Sequence, residues 1–347
     1  MIRTVVRQTQ ETVPEMNREW SDFLASRSAP PSSGAEISCA LNDLSHYGLI
    51  RVEGEDAEQF LQGQMTNDMR QVTEDHSNLA GWCNAKGRMI ASFRCFRQGA
   101  SFYLQTLAEA IPKLLPRLSM YLLRSKVEIS DASDELVRIG ISGNCAEALL
   151  QPFFEELPDE ANGVQQQDGM ILIRLPGPTP RFEVIGPNPQ LQELWQTAEG
   201  QAQHASKELW SLYEIHAGIP TLYSQTSESF VPQMTNMQLI DGVSFTKGCY
   251  TGQEVVARMQ YLGKLKRRMY LAHVECAIPP KPGDELFAEG STSGQGAGKV
   301  VDAQASGEGY DLLAVIEIAS AEENRVRLGE EGPMLEILNL PYSYAEA

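Results

Sequence analysis

The sequence predicts an α+β protein whose chain ends in a small β-barrel. Three observations carry that expectation. A chain of 347 residues exceeds one ordinary core, and at roughly 150 residues per domain it implies two or three. A middle stretch runs in the order strand, helix, strand, strand, helix: "LVRIGISG" from 136, "NCAEALLQPFF", "GMILIRLPG", "RFEVIG" and "NPQLQELWQTAEG". That order suits helices layered on a largely antiparallel sheet. From near residue 268, "RRMYLAHVECA", "GDELFAEG", "GQGAGKVVDAQ", "YDLLAVIEIA" and "PMLEILNLP" are short β runs set apart by Gly and Pro turns, the pattern of a small barrel.

Taken in chain order, residues 17–26 ("NREWSDFLAS") read as a short helix, and the Pro, Ser and Gly of 27–36 as a loop. The first strands fall within 36–54. Gly54 ends them, Asp56 can cap the next helix, and Phe60 and Leu61 give that helix its apolar side. Residues 79–107 hold two or three strands around "NAKGR" and "RQGAS" turns. Residues 107–129 pass from helix to strand, with Pro112 and Pro116 expected to break the helix or to start it. The segment 206–263 is the least regular and carries the most unusual residues.

Composition narrows the function. With 28 Lys and Arg against 46 Asp and Glu, the net charge is −18, which opposes a large nucleic-acid footprint. No apolar run is long enough for a membrane span, and the N-terminus lacks the apolar core of a signal peptide, so a cytoplasmic location is expected. The six cysteines are scattered without a CxxC pair, which speaks against a dense disulfide scaffold and supplies no metal-ligand set. No P-loop, HExxH, GxSxG or dinucleotide GxGxxG is present, and the "GQGAG" at 294–298 fits a hairpin better than a phosphate cradle.

The chemistry-bearing residues cluster late in the chain. In "KGCYTGQE", Gly248 and Gly252 flank Cys249, Tyr250 and Thr251 and permit a sharp turn. A helix-like run follows, so Cys249 sits near a helix start with Lys247 beside it. Both neighbours favour a thiolate, although no base is identifiable and a buried, inert cysteine is the plainer reading. Glu254 suits the first helical turn. Arg258, Lys264, Lys266, Arg267 and Arg268 form a basic run that is either a solvated linker or an anion site. Trp210 and Glu214, at i and i+4, share a helix face and could hold a flat heterocycle. The alternative leaves Trp210 in the core and Glu214 exposed. Tyr47 poses the same choice.

"KGCYTGQE" resembles the signature of the YgfZ-type folate-binding proteins, bacterial relatives of the glycine-cleavage T-protein, an aminomethyltransferase. "FLQGQMTND" (60–68), "CNAKGRM" (83–89), "EIHAGIP" (214–220), "FVPQMTNMQ" (230–238) and "LPYSY" (340–344) are similar to that family in the same order. The resemblance runs from about residue 38 to the end. It implies a three-domain α+β ring with a C-terminal β-barrel and tetrahydrofolate, or a one-carbon derivative, in the central channel. The implied division is an N-terminal helix and linker at 1–35, a folate-binding α+β domain at 36–128 completed by 202–263, a second α+β domain at 129–201, and the barrel at 264–347. The implied role is maintenance of iron–sulfur enzymes, among them a tRNA methylthiotransferase, and through them tRNA modification without strong direct nucleic-acid binding.

Tyr47 and Trp210 match positions of two aromatic residues proposed to contact folate in the family. The ligand-binding set expected is Tyr47, Trp210, Glu214, Arg258, Lys264 and Arg267, with Cys249 and Lys247 as the reactive pair. One departure matters. The aminomethyltransferases carry a catalytic aspartate shortly after the glycine matching Gly87, where this chain has "GRMIASF" with Ile90 and Ala91. That puts in doubt a one-carbon transferase, which remains an alternative alongside a thiol enzyme using Cys249.

Overall fold

The computed structural model describes residues 15–27, 37–291 and 296–344. Most of the loop expected at 27–36 and the first residues of the hairpin expected at 294–298 lie outside these. Three β-sheets organise the described residues.

The first sheet has five antiparallel strands in the order Asn78–Cys83, Met89–Gln98, Ser101–Leu107, Tyr47–Glu53 and Glu128–Asp131. Helices Ala57–Gln62 and Ile111–Ser119 cover one face, and their Phe60, Leu61, Leu114 and Leu118 pack with Trp82, Phe93 and Leu104. Pro112 stands in the first turn of its helix, where a missing N–H costs nothing, and the helix continues through Pro116.

The second sheet has six strands, ordered Gln203–Ala205, Cys39–Asp43, Val137–Gly143, Arg181–Gly186, Met170–Leu175 and Val164–Gln167. Only the pairing of Cys39–Asp43 with Gln203–Ala205 is parallel; the other pairs in this sheet are antiparallel. Helix Glu15–Ala25 docks here. Its Trp20 packs edge-on against Trp195 of helix Asn188–Ala198, and the indole N–H donates to Asp43 Oδ1 at 2.9 Å. Cys39 and Cys145 are joined in a disulfide that ties the strand to the start of helix Ala146–Leu150. The cysteine spacing gave no sign of this bond, because its halves lie 106 residues apart.

The third sheet corrects an expectation. Its six antiparallel strands run in the order Val326–Leu328, Glu285–Ala288, Gly298–Ser306, Gly309–Glu317, Arg267–Val274 and Glu336–Leu338, and the two end strands do not pair with each other. The result is a curled half-barrel, not a closed barrel. Alternation explains why closure is unnecessary. Tyr270, Val274, Leu286, Leu312 and Ile316 fill the concave side, while Met269, Leu271, Leu313 and Val315 point the other way and pack with Ile215, Phe230 and Met237. A sheet whose second face is covered by the rest of the chain need not wrap upon itself.

Helix Lys207–His216 binds the parts together. It packs along strands Gly298–Ser306 and Gly309–Glu317, and its last residue, His216, hydrogen-bonds Asp311, which also holds His273. Among the described residues no helix is long and apolar enough to cross a membrane.

Candidate functional site

Helix Lys207–His216 presents Trp210 and Glu214 to a cleft between the first and second sheets. The cleft is also lined by Tyr47, Ser92, Arg94, Gln105, Glu183, Ile219 and Met237. Trp210 is 1% exposed and lies against strand Val137–Gly143 at Gly140, where a Cβ would come within 2.3 Å of the indole ring. The chain therefore has glycine there, because no side chain fits beneath the ring. Tyr47 and Trp210 share one apolar cluster, so two residues far apart in sequence wall one cavity. Trp210 is at once core and lining. Glu214 is buried rather than exposed, and Arg181 donates to it at 2.9 Å while its guanidinium lies 5.3 Å from the centre of the Trp210 ring.

The most distinctive polar groups escaped the sequence reading. Glu183 is buried on strand Arg181–Gly186, and both of its oxygens accept from the Gln105 amide at 2.9 and 3.1 Å. Burial pushes the Glu183 carboxyl up to about 7, against the opposing pull of Arg94, Gln105 and Arg138. Burial likewise lowers the Arg94 guanidinium from its ordinary value, and Arg94 donates to Asn162 at 2.8 Å. Gln105 Oε1 is buried with no hydrogen-bond partner among the described residues. The Tyr47 phenol is held well above its usual range by burial and then by Glu214. The cavity thus joins two aromatic rings to a carboxyl, a carboxamide and a guanidinium. Nothing local marked them, because their strands also carry Ser92, Thr106 and Arg181, and one more polar residue there reads as solvent-facing.

A second cleft opens nearby, lined by Tyr223, Gln225, Lys281, Asp284, Asp302 and Gln304. Asp302 is buried at an irregularity in strand Gly298–Ser306 and accepts from the Tyr223 hydroxyl at 3.2 Å. Burial raises its carboxyl to about 7.

The other expected residues lie elsewhere. Cys249, Lys247, Arg258, Lys264 and Arg267 do not line the first cleft. Lys247 is buried, and its ammonium donates to the carbonyls of Met65 and Asn67 at 2.6 and 2.7 Å; burial lowers it to about 8. Cys249, two residues on, is exposed, which removes the buried-cysteine reading. The ring contacts and side-chain bonds of His46, His204, His216 and His273 are made to other residues. Gly252, with φ +84°, begins helix Gln253–Tyr261 and is pressed onto the "NAKGR" turn, where a Cβ would lie 2.4 Å from the Asn84 carbonyl. Arg258 and Lys264 are exposed, and Arg267 donates to the Gly296 carbonyl at 2.6 Å.

The shared motifs interlock. Thr66 of "FLQGQMTND" donates to the Gly242 carbonyl and accepts from Gly81. Tyr342 of "LPYSY" donates to Gly218 of "EIHAGIP", and Asn236 of "FVPQMTNMQ" donates to Tyr342. Much of what these motifs encode is the fit between distant segments around the cleft.

This sheet arrangement is the aminomethyltransferase-like fold. The glycine cleavage system aminomethyltransferase T from Bartonella henselae superposes with a TM-score of 0.68 at 16% identity, over 92% of this chain and 88% of that one. Residues 34–166 match the GCVT N-terminal domain family. The tRNA-modifying protein YgfZ of Klebsiella pneumoniae (strain 342) is 34% identical over 318 residues, 91% of this chain and 97% of its own length. That of Escherichia coli O7:K1 (strain IAI39 / ExPEC) is 32% identical over 317 residues, with the same coverage. The chain belongs to the YgfZ family.

Proposed function

We propose that the protein binds tetrahydrofolate, or a one-carbon derivative of it, in the cleft walled by Tyr47 and Trp210, and acts as an accessory protein to iron–sulfur enzymes of tRNA modification. The observation that carries the ligand reading is the pairing of flat apolar walls with an incomplete polar edge. A reduced pterin needs both: aromatic surface for its ring and acceptors for its amino and amide N–H groups. Gln105 Oε1, buried without a partner, is such an acceptor, and Glu183 and Glu214 add carboxyl oxygens. Tetrahydrofolate, when bound, supplies nitrogen atoms that carry one-carbon units. The tRNA-modification role is transferred from the YgfZ relatives.

A second reading, one-carbon transfer, has one observation in its favour. Ile90 and Ala91 are buried and apolar, yet Glu183 places a carboxyl held near neutrality in the cleft, suited to give or take a proton. Calorimetric titration with tetrahydrofolate and with folic acid tests the first reading, which expects the reduced form to bind in a 1:1 ratio. Binding that survives intact in Tyr47→Ala and Gln105→Leu would remove the ligand from this cleft. Formaldehyde-equivalent release from an aminomethyl donor, abolished in Glu183→Gln, would favour the second.

A further inference from the structure

Helix Gln253–Tyr261 ends in a feature that the cleft does not use. Tyr261 is 68% and Leu262 86% exposed, two of the few large apolar side chains left open among the described residues. Tyr261 is propped edge-on by Phe245 at 6.2 Å between ring centres. Around them stand Arg258, Lys264 and Lys266, all exposed. Between residues 255 and 268 the chain has five basic residues and no acidic one, within a protein of charge −18. Arg268 is turned inward over the Tyr344 ring at 4.3 Å, and Arg267 is engaged by Gly296, so the outward cations are the other three.

We propose that this helix end is a docking surface for a partner protein that offers an apolar pocket rimmed by carboxylates. Charge complementarity favours that occupant. Three cations standing out of an acidic molecule attract an acidic rim and orient it at long range. Tyr261 and Leu262 stand exposed next to each other, and aromatic or aliphatic anchors inside a polar rim are the usual anatomy of such contacts. Nucleic acid is the weaker occupant, because the net charge repels a polyanion beyond this small patch. The helix of nine residues is only about 14 Å long, and a standard interface hides about 800 Å² on each side. An interface of that width centred on Leu262 can reach the start of the helix, next to the exposed thiol of Cys249.

This inference rests on the accessory role proposed above. Its experiment uses the purified full chain and, as probe, a purified iron–sulfur tRNA methylthiotransferase with its clusters assembled. Binding is followed by interferometry at several salt concentrations. Wild type should bind, less tightly as salt rises. Leu262→Ser combined with Lys264→Glu should weaken binding by about 30-fold or more, as loss of an anchor and a charge reversal together imply. Both residues lie outside the cleft, so tetrahydrofolate titration of the same variant should match wild type. The variant should also fail to restore methylthiolation in cells lacking the native protein. Failure of wild type to bind the probe, or equal binding by the variant, overturns the docking proposal. So does capture of free tRNA instead, or a dimer of this chain that the variant dissolves. Loss of folate binding in wild type would instead refute the ligand reading and leave the docking result to be read by itself.

Discussion

The cleft behind Tyr47 and the turn around Cys249 sort their residues in opposite ways. In the cleft, residues far apart in the chain converge: Tyr47, Arg94, Gln105, Glu183 and Trp210 come from five different elements. In the turn, neighbours diverge: Lys247 is buried under two carbonyls while Cys249, two residues later, faces solvent. A compact motif is therefore a poor guide to a compact site. "KGCYTGQE" holds the architecture with its lysine and its second glycine and offers chemistry only through its cysteine. The chemistry of the cleft comes mostly from strand residues outside the motifs, Arg94, Gln105 and Glu183, joined by Glu214 of "EIHAGIP".

The largest test of that contrast is stability. Trp210→Ala empties a filled space against Gly140 and should cost about 3–5 kcal/mol of unfolding free energy in urea titrations. Cys249→Ser, at an exposed position, should stay within about 0.5 kcal/mol of wild type. A small loss at Trp210 would mean that the ring is only a lid on the cleft.

Next comes pH. The Glu183 carboxyl keeps its proton up to about 7 in the folded chain, against an ordinary value of 4.5, and Asp302 does so against 3.8. The folded state therefore binds more protons than the unfolded one between those limits. The contribution of each group is fully present below its ordinary value and is lost as pH rises through about 7, with a slope of at most ~1.4 kcal/mol per pH unit. Urea midpoints from pH 5 to 8 should fall less steeply in Glu183→Gln and in Asp302→Asn than in wild type. Identical slopes in all three proteins would show that neither carboxyl is held protonated.

A smaller effect concerns ligand affinity. Gln105→Leu removes the unpartnered acceptor and should weaken tetrahydrofolate binding about tenfold in calorimetry. Lys264→Glu, outside the cleft, should leave monoglutamate binding unchanged.

The smallest perturbation is chemical labelling of the folded protein. Cys83 and Cys95 are buried, and burial pushes both thiols up to about 12. Iodoacetamide followed by peptide mass spectrometry should modify Cys249 first and Cys276 later, with Cys83 and Cys95 protected until urea is added. Early modification of Cys95 would indicate that the first sheet opens readily.

These contrasts also mark what could be read from the chain alone. The strand runs, the helix after Gly54 and the pairing of Trp210 with Glu214 on one helical face were legible, because each depends on local spacing. Tyr47 was singled out beside Trp210 from the residues, and the family resemblance added a role to it. Glu183 and Gln105 were not legible, since a lone polar residue in a strand looks like a solvent-facing one until a second sheet is known to cover it. Closure of the third sheet was misread for a related reason. Short alternating strands specify two faces, and only the packing of Met269 and Val315 against Phe230 and Met237 shows that the second face is already covered. The Cys39–Cys145 bond and the docking of Trp20 on Trp195 depend on contacts between segments more than a hundred residues apart, for which spacing carries no signal.

The parallel seam between Cys39–Asp43 and Gln203–Ala205 has a consequence for synthesis on the ribosome. Strand Cys39–Asp43 emerges early, but its antiparallel partner Val137–Gly143 is not made until 94 residues later, and its parallel partner later still. At roughly 5–20 residues per second the strand waits ~5–20 s for the first and longer for the second. In that interval the sheet built from residues 47–131, whose strands are contiguous in the chain, can close by itself. The nascent chain thus carries a paired sheet that still awaits its contacts with Gly242 and Lys247, with a tethered, unsatisfied strand beside it. This strand, "CALND", is the piece most in need of protection by a chaperone until the second lobe arrives to claim it.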